Sequence, residues 1–132
     1  MGQLSSKPRI LIVDDSQSGI DMLRDLFSSY VRLIAMNGEQ ALRLAASDKP
    51  PDLILLDVMM PDMDGFEVCK RLKANPATQE IPVIFVTAKG EAADERHGLS
   101  LGAVDYIVKP CNVDVIRQRA EHHLRLGQEQ NL

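Results

Sequence analysis

Five polar residues directly follow short apolar runs of this 132-residue chain, and they are Asp14, Asp15, Asp57, Thr87 and Lys109. If these runs are neighbouring parallel strands, their carboxyl ends meet at one edge of a sheet, where ligands bind in such folds. Three carboxylates held close together raise one another's pKa. A hard divalent cation relieves that repulsion, and Mg²⁺ prefers a few carboxylates together with water and phosphate oxygens. The set therefore predicts a magnesium site beside a hydroxyl and an ammonium group.

Each of these residues has an ordinary structural explanation when it is taken alone. Asp14 and Asp15 could cap a helix, where the helix dipole favours negative charge. Thr87 could simply end a strand, and Lys109 could be a solvated lysine. Asp57 is harder to explain in that way, because an unpaired buried carboxylate is costly. Compatible chemistry at several strand ends is what favours a functional site over these separate explanations.

The strand candidates differ in strength along the chain. The runs 9–13, 53–56 and 83–86 are continuously apolar, which is typical of strands buried on both faces. The runs 31–35 and 104–108 are weaker, which favours positions toward the edges of the sheet. The sequence therefore predicts five strands, three of them central.

Helical patterns lie between and after these strands. Four stretches repeat apolar residues at the spacing of one helix face: Ile20, Leu23, Phe27; Ala41, Leu42, Ala45; Phe66, Cys69, Leu72; and Val113, Ile116, Ala120, Leu124. Segment 89–101 is a weaker helix candidate because Gly90 and Gly98 interrupt it. A last helix is expected over residues 112–126.

The boundaries of these helices carry recognisable signals. Ser16, Asp64 and Asn112 stand where N-caps are expected, and Asn75-Pro76 closes the third helix. Five βα pairs in succession predict a doubly wound α/β domain, with a parallel sheet covered by helices on both faces.

Composition limits the class of protein. Hydrophobic residues make up 45% and charged residues 26%, which is ordinary globular composition and argues against disorder. The formal net charge of −4 argues against a nucleic-acid-binding surface, which needs a basic field. We find no apolar run long enough to span a membrane and no apolar signal segment. Two cysteines do not form a disulfide framework, so we expect a cytoplasmic protein.

The chain resembles the receiver domain of two-component response regulators. The resemblance rests on Asp14-Asp15, the segment LeuLeuAspValMetMetProAspMetAspGly at 55–65, Thr87-Ala88 and Lys109-Pro110, all in order. It implies a flavodoxin-like (βα)5 fold with a five-stranded parallel sheet in the order 2-1-3-4-5. It also implies a receiver domain over residues 8–126, with an N-terminal extension at 1–7 and a C-terminal tail or start of a linker at 127–132.

The resemblance also assigns roles to the acidic residues. Asp57 would be the phosphoacceptor, attacking the phosphorus of a phosphohistidine to form an acyl phosphate. Asp15 would bind Mg²⁺ directly and Asp14 mainly through water. Asp57 and the backbone carbonyl of Met59 would complete the protein ligands.

A second group of residues would respond to the phosphoryl group. Thr87 would donate its hydroxyl to it, and Lys109 would pair with one of its oxygens. Tyr106 would turn inward when Thr87 moves, and Pro110 would follow a cis peptide bond. Segment 89–101 is a candidate for the mobile element, because marginal elements supply switches.

The resemblance implies a signalling switch rather than an enzyme. Its partners would be a sensor histidine kinase or a phosphotransfer protein, together with an output domain or a second copy in a homodimer. An aspartyl-phosphate phosphatase is disfavoured, because Met59 stands where those enzymes carry a second Asp. A flavin-binding domain is disfavoured, because Asp14 and Asp15 would repel the phosphate. A degenerate receiver, serving only as a scaffold, is disfavoured because the complete set of site residues is present.

Overall fold

The computed structural model of the chain describes residues 7–130. The five strands are β1 (Arg9–Val13), β2 (Val31–Ala35), β3 (Leu53–Leu56), β4 (Val83–Thr87) and β5 (Asp105–Val108). The five helices are α1 (Gln17–Leu26), α2 (Gly38–Ala45), α3 (Gly65–Ala74), α4 (Ala92–Ser100) and α5 (Val113–Gln130). Almost all of the predicted extension 1–7 and the last two residues of the predicted tail lie outside the described residues, so those boundaries remain predictions.

All strands are parallel and follow the order β2-β1-β3-β4-β5. This confirms the predicted doubly wound, flavodoxin-like (βα)5 architecture. It also places the two weaker strands, β2 and β5, at the edges of the sheet. The strand order reverses between β1 and β3, and a crevice at such a point is where open α/β sheets bind ligands.

Strand β3 shows why the central strands are continuously apolar. Ile54 and Leu56 pack into the core on the side of α2 and α3, while Leu53 and Leu55 pack into the core on the side of α1 and α5. All four side chains are fully buried. Because helices cover both faces, neither face of β3 can carry polar residues.

Side-chain caps begin the helices where the sequence predicts them. Ser16 Oγ accepts from the Gly19 amide at 3.1 Å and begins α1. Asp64 Oδ1 accepts from the Glu67 amide at 2.9 Å and begins α3. Asn112 Oδ1 accepts from the amide of Asp114 at 2.8 Å, at the start of α5. These bonds satisfy amide groups that the first helical turn leaves without a partner.

The last two helices differ from the central ones. Helix α4 lies inside the predicted segment 89–101, and of its nine residues, all of them described, only Gly98 is buried. Helix α5 continues to Gln130, so the predicted end at Leu126 is wrong by four residues. Neither a proline nor a capping glycine conformation stops the helix there; Gly127 remains helical, at the modest cost of glycine in a helix.

Within residues 7–130, the helices are all too short or too polar to cross a lipid bilayer.

Candidate functional site

Three carboxylates meet at the carboxyl ends of β1 and β3. One oxygen from each of Asp14, Asp15 and Asp57 lies within 4.8 Å of the others. Asp14 and Asp57 are buried, whereas Asp15 is exposed. The register explains the convergence, because Val13 pairs with Leu56 and the residue after each strand is an aspartate. The Asp57 amide continues the ladder by donating to the Val13 carbonyl at 2.9 Å.

Lys109 reaches this cluster from the end of β5. Its Nζ lies 3.3 Å from Asp14 Oδ2 and 3.7 Å from Asp57 Oδ2. The Lys109 amide donates to the Thr87 carbonyl at 2.7 Å, which fixes the start of the β5–α5 loop to the end of β4. The Lys109–Pro110 peptide bond is cis.

The Asp14 carboxyl is the most buried member of the cluster. Burial raises its pKa above the ordinary value, and the charge of Asp57 acts in the same direction. The Ser16 amide, which donates to Asp14 Oδ1 at 2.9 Å, and the Lys109 ammonium lower the pKa but do not reverse the shift. The environment therefore penalises negative charge on Asp14 in the absence of a further cation.

This donor set fits a magnesium ion. The three carboxylates carry three negative charges, and Lys109 returns one positive charge. Hard oxygen donors at this spacing, two of them buried, are the ligands that Mg²⁺ takes in proteins. The excess of negative charge in a partly buried pocket is stabilised when a divalent cation occupies it.

Two glycines allow helices to start close to the carboxylates. A Cβ on Gly19 in α1 would lie 2.2 Å from Asp14 Oδ2. A Cβ on Gly65 in α3 would lie 2.2 Å from the backbone oxygen of Asp57 and 2.8 Å from Val58 Cα. Only glycine therefore permits either approach without displacing the site, a requirement that sequence reasoning did not detect.

Thr87 and Tyr106 form a second group, linked through one residue of the β4–α4 loop. The fully buried Thr87 accepts a hydrogen bond at Oγ1 from the Lys89 amide at 3.2 Å. The Tyr106 hydroxyl donates to the carbonyl of Lys89 at 2.5 Å. Tyr106 is buried, with 6% of its surface exposed, so its ring already lies inward in this structure.

Burial and nearby carboxylates hold the Tyr106 phenol in its neutral form. Burial is the largest cause, followed by the charges of Asp94, Glu95 and Asp57, and together they raise its pKa to about 12. The ring packs against Phe85 with centroids 5.5 Å apart.

Met59 follows Asp57 by two residues, and its amide donates to Asp57 Oδ1 at 3.1 Å. This bond orients the Asp57 carboxylate. The Met59 side chain is 58% exposed. The predicted role of its backbone carbonyl as a metal ligand remains a prediction.

The structure brings Lys109 to the three clustered carboxylates and links Thr87 to Tyr106 through a shared backbone, and it adds partners that sequence reasoning missed. Lys89 Nζ lies 3.6 Å from Asp94 Oδ1. Glu91 and Asp94 form a capping box at the start of α4, but Glu91 is not one of the residues that usually mark an N-cap in a sequence. No local signal predicts the 3.5 Å contact of His123 Nε2 with Asp105 Oδ2, since the pair joins two distant segments.

Comparisons with known proteins agree on one family. The family model described as "Response regulator receiver domain" matches residues 10–121. The chain is 44% identical over 121 residues to a Vibrio cholerae protein named "Probable cyclic di-GMP phosphodiesterase", covering 91% of this chain and 27% of that protein. It is 41% identical over 138 residues to "Response regulator PleD" of Caulobacter vibrioides, covering 90% of this chain and 30% of PleD.

A solved structure gives the same result. The receiver domain of a signal transduction histidine kinase from Syntrophus aciditrophicus superposes with a TM-score of 0.81 at 36% identity, covering 89% of this chain and 90% of that one. The chain therefore matches that receiver domain over nearly its whole length, whereas it spans less than a third of the two curated relatives.

Proposed function

The chain belongs to the response regulator receiver domain family, and on that premise we propose that it accepts a phosphoryl group on Asp57 in a magnesium-dependent reaction. The observation that supports this role most directly is the placement of Asp57 beside two further carboxylates and the Lys109 ammonium. A carboxylate nucleophile, a cation site and a lysine are the parts that phosphoryl transfer needs, because catalysis there is mostly positioning and charge stabilisation.

In this proposal the side chains at the strand ends have separate roles in the transfer. The Asp57 oxygen attacks phosphorus, and the leaving imidazole of a phosphohistidine takes the electron pair of the broken P–N bond. Asp14, Asp15, Asp57 and the carbonyl of Met59 would hold Mg²⁺. When bound, the ion supplies charge stabilisation to the phosphoryl oxygens.

Two further residues, Lys109 and Thr87, would contact the phosphoryl group once it is on Asp57. Lys109, already 3.7 Å from Asp57 Oδ2, neutralises charge on the phosphoryl oxygens, and the Thr87 hydroxyl donates a hydrogen bond to one of them. The phosphoryl group adds about −1.5 to −2 charges, which biases the position of Thr87 and, through it, of Tyr106. The acyl phosphate is thereby converted into a change of conformation.

The partners follow from this chemistry. A sensor histidine kinase or phosphotransfer protein supplies the phosphoryl group, and an output domain or a second copy of the domain reads the altered surface. We propose a cytoplasmic signalling switch whose chemical activity is limited to its own phosphorylation and dephosphorylation.

Incubation with acetyl phosphate and Mg²⁺ tests the proposal. We expect an intact-mass gain of one phosphoryl group in the native protein and no gain when EDTA replaces Mg²⁺. Asp57→Asn preserves shape but lacks the nucleophile and should remain unlabelled. Asp25→Asn removes an exposed carboxylate of α1 and should label normally. A labelled Asp57→Asn protein would refute the assignment.

A further inference from the structure

The β4–α4 loop holds the hydroxyl groups of Thr87 and Tyr106 through the backbone of a single residue. The Lys89 amide donates to Thr87 Oγ1 at 3.2 Å, and the Lys89 carbonyl accepts from the Tyr106 hydroxyl at 2.5 Å. The two groups therefore share one anchor, and any movement of the Lys89 backbone affects both bonds at once.

One carboxylate contacts both ends of the segment that carries this anchor. Asp94 Oδ1 lies 3.6 Å from Lys89 Nζ, and Asp94 Oδ2 accepts from the Glu91 amide at 3.4 Å. The Asp94 side chain is 16% exposed, against 44% for Lys89. Asp94 therefore connects the first turn of α4 to both ends of the short segment 89–91.

The packing of α4 lies mainly in its second half. There Gly98 is the one buried residue of this fully described helix, and the His97 ring packs on Phe66 with centroids 4.7 Å apart; both contacts lie away from the first turn. Gly90 lies against Val108, where a Cβ would approach the Val108 side chain to 2.5 Å. This contact keeps the loop near β5, but it places no hydrogen bond on Lys89. The Asp94 carboxylate is therefore well placed to decide where the Lys89 carbonyl lies.

We infer that Asp94 is a positioning residue that favours the inward orientation of Tyr106 in the unphosphorylated protein, by holding Lys89 through the Lys89–Asp94 ion pair. The functional meaning of this inference rests on the proposed function, in which Tyr106 responds to phosphorylation. The structural part concerns only the resting protein. A partly exposed ion pair shifts such an equilibrium by about two- to fivefold, enough to change the population of a minor state.

Fluorine NMR of protein labelled with 3-fluorotyrosine measures the orientation directly. The chain has two tyrosines, and Tyr30→Phe and Tyr106→Phe assign the two resonances. The change in chemical shift between H₂O and D₂O reports how far each ring is exposed to solvent. Tyr30 packs on Phe27 at a centroid distance of 5.7 Å, in the core on the other face of the sheet, so its resonance reports on the integrity of the fold.

Two variants remove the ion pair from opposite ends. Asp94→Asn keeps an oxygen for the Glu91 amide, and Lys89→Gln keeps the backbone that binds Thr87 and Tyr106. We expect each to increase the solvent-isotope shift of Tyr106, because the outward-to-inward ratio rises about two- to fivefold, while that of Tyr30 stays constant. The double variant should show no further increase, because both substitutions remove the same interaction.

Glu95→Gln is the matched control. Glu95 is an exposed acid in the same turn of α4, so its substitution removes the same charge from the helix N-terminus without touching Lys89. We expect an unchanged solvent-isotope shift of Tyr106. An unchanged Tyr106 in both single variants, additive effects in the double variant, an equal response to Glu95→Gln, or a parallel change in Tyr30 would each overturn the inference.

A second measurement separates this inference from the proposed function. Affinity for beryllofluoride, a phosphoryl mimic, should fall in Asp94→Asn and Lys89→Gln, by less than the roughly two- to fivefold change in the inward-to-outward ratio of Tyr106 because the inward state is the major one, and stay constant in Glu95→Gln. If Tyr106 becomes exposed as expected but the native protein neither binds beryllofluoride nor accepts a phosphoryl group, the positioning role stands and the proposed function fails. If binding is normal and Tyr106 does not respond, the positioning role fails alone.

Discussion

Lys109 Nζ lies 3.3 Å from Asp14 Oδ2, although 95 residues separate the two in the chain. The contact joins the end of one edge strand to the end of a central strand and places an ammonium group inside the acidic cluster. Within residues 7–130, Lys109 is therefore the cation within 4 Å that partly neutralises Asp14 and Asp57. Under the proposed function, we expect this position to give Lys109 opposite effects on metal binding and on phosphorylation.

Lys109→Gln should strengthen Mg²⁺ binding while impairing phosphorylation. Removing the ammonium leaves the carboxylates without a competing positive charge, so we expect tighter Mg²⁺ binding by about 1 kcal/mol, or roughly fivefold in Kd. The rate of labelling by acetyl phosphate should fall severalfold or more, because the developing phosphoryl charge loses its partner. Isothermal titration calorimetry and intact mass measure the two effects.

Lys70→Gln provides the control, since Lys70 is an exposed lysine of α3 and its loss changes the net charge equally. It should leave both quantities within error of the native values. Weaker Mg²⁺ binding by Lys109→Gln would show that the lysine supports the metal site rather than competing with it.

Asp14→Asn should stabilise the metal-free protein. Burial raises the folded-state pKa of Asp14 above its ordinary value of 3.8, so ionising this carboxyl costs folding free energy. The free energy of unfolding therefore falls as the pH rises from about 3.8 toward the folded-state pKa. At pH 7 in EDTA, we expect a gain of about 1 kcal/mol in the free energy of unfolding by urea. The stabilisation that the native protein gains from added Mg²⁺ should be largely lost. A less stable variant in EDTA would mean that pairing with Lys109 outweighs burial.

Gly65→Ala and Gly127→Ala should change stability in opposite directions. At Gly65 the new methyl group would meet the backbone of Asp57 and Val58 at under 3 Å, so we expect a loss of at least about 2 kcal/mol, by analogy with overpacking. At Gly127 no atom lies within 4 Å of the added Cβ, and alanine should stabilise α5 by up to about 1 kcal/mol. Urea midpoints compare the two. Equal tolerance at both positions would contradict the close approach of α3 to β3.

The phenol of Tyr106 should make stability pH-dependent at high pH. Its pKa of about 12 in the folded state exceeds the ordinary 10.0, so folding favours the protonated form and stability declines as the pH rises from about 10 to 12. The slope approaches about 1.4 kcal/mol per pH unit in that window. Tyr106→Phe should flatten this decline and, at pH 7, cost about 1 kcal/mol for the lost bond to Lys89. Urea unfolding between pH 7 and 11.5 measures both effects.

Tyr30→Phe is the matched control for this titration. Burial also raises the pKa of Tyr30, but this residue packs on the other face of the sheet from Tyr106. It should leave most of the decline between pH 10 and 12 in place. An undiminished slope in Tyr106→Phe would contradict the assignment.

Sequence reasoning predicted the strands of the sheet and the residues at their carboxyl ends, because burial determines both the apolar runs and the points where they stop. Strand β3 has no polar residue because helices cover both of its faces. Asp57 breaks this apolar pattern directly after the strand, where the chain reaches the acidic cluster. Once the strands were identified as parallel, Asp14, Asp57 and Lys109 had to lie at one edge, whatever their separation in the chain.

The remaining details depend on contacts that local patterns do not encode. Asp94 stands where a capping residue is expected, but its second contact, with Lys89, follows from how α4 is placed against the loop. The end of α5 was missed because an exposed helix terminus needs no buried partner and Gly127 weakens a helix without ending it. No local pattern marks His123 as half-buried, yet its side chain is 14% exposed and lies against Asp105.

The place of β5 as the last of the five described strands along the chain determines which site residues are synthesised last. The acidic residues and Thr87 precede it in the chain, whereas Tyr106 and Lys109 are on or directly after this last strand. A ribosome that has released only the first four strands therefore holds a cluster of carboxylates without its lysine and without its aromatic ring. Under the proposed function, a chain that ends before β5 would therefore lack both groups that respond to the phosphoryl charge.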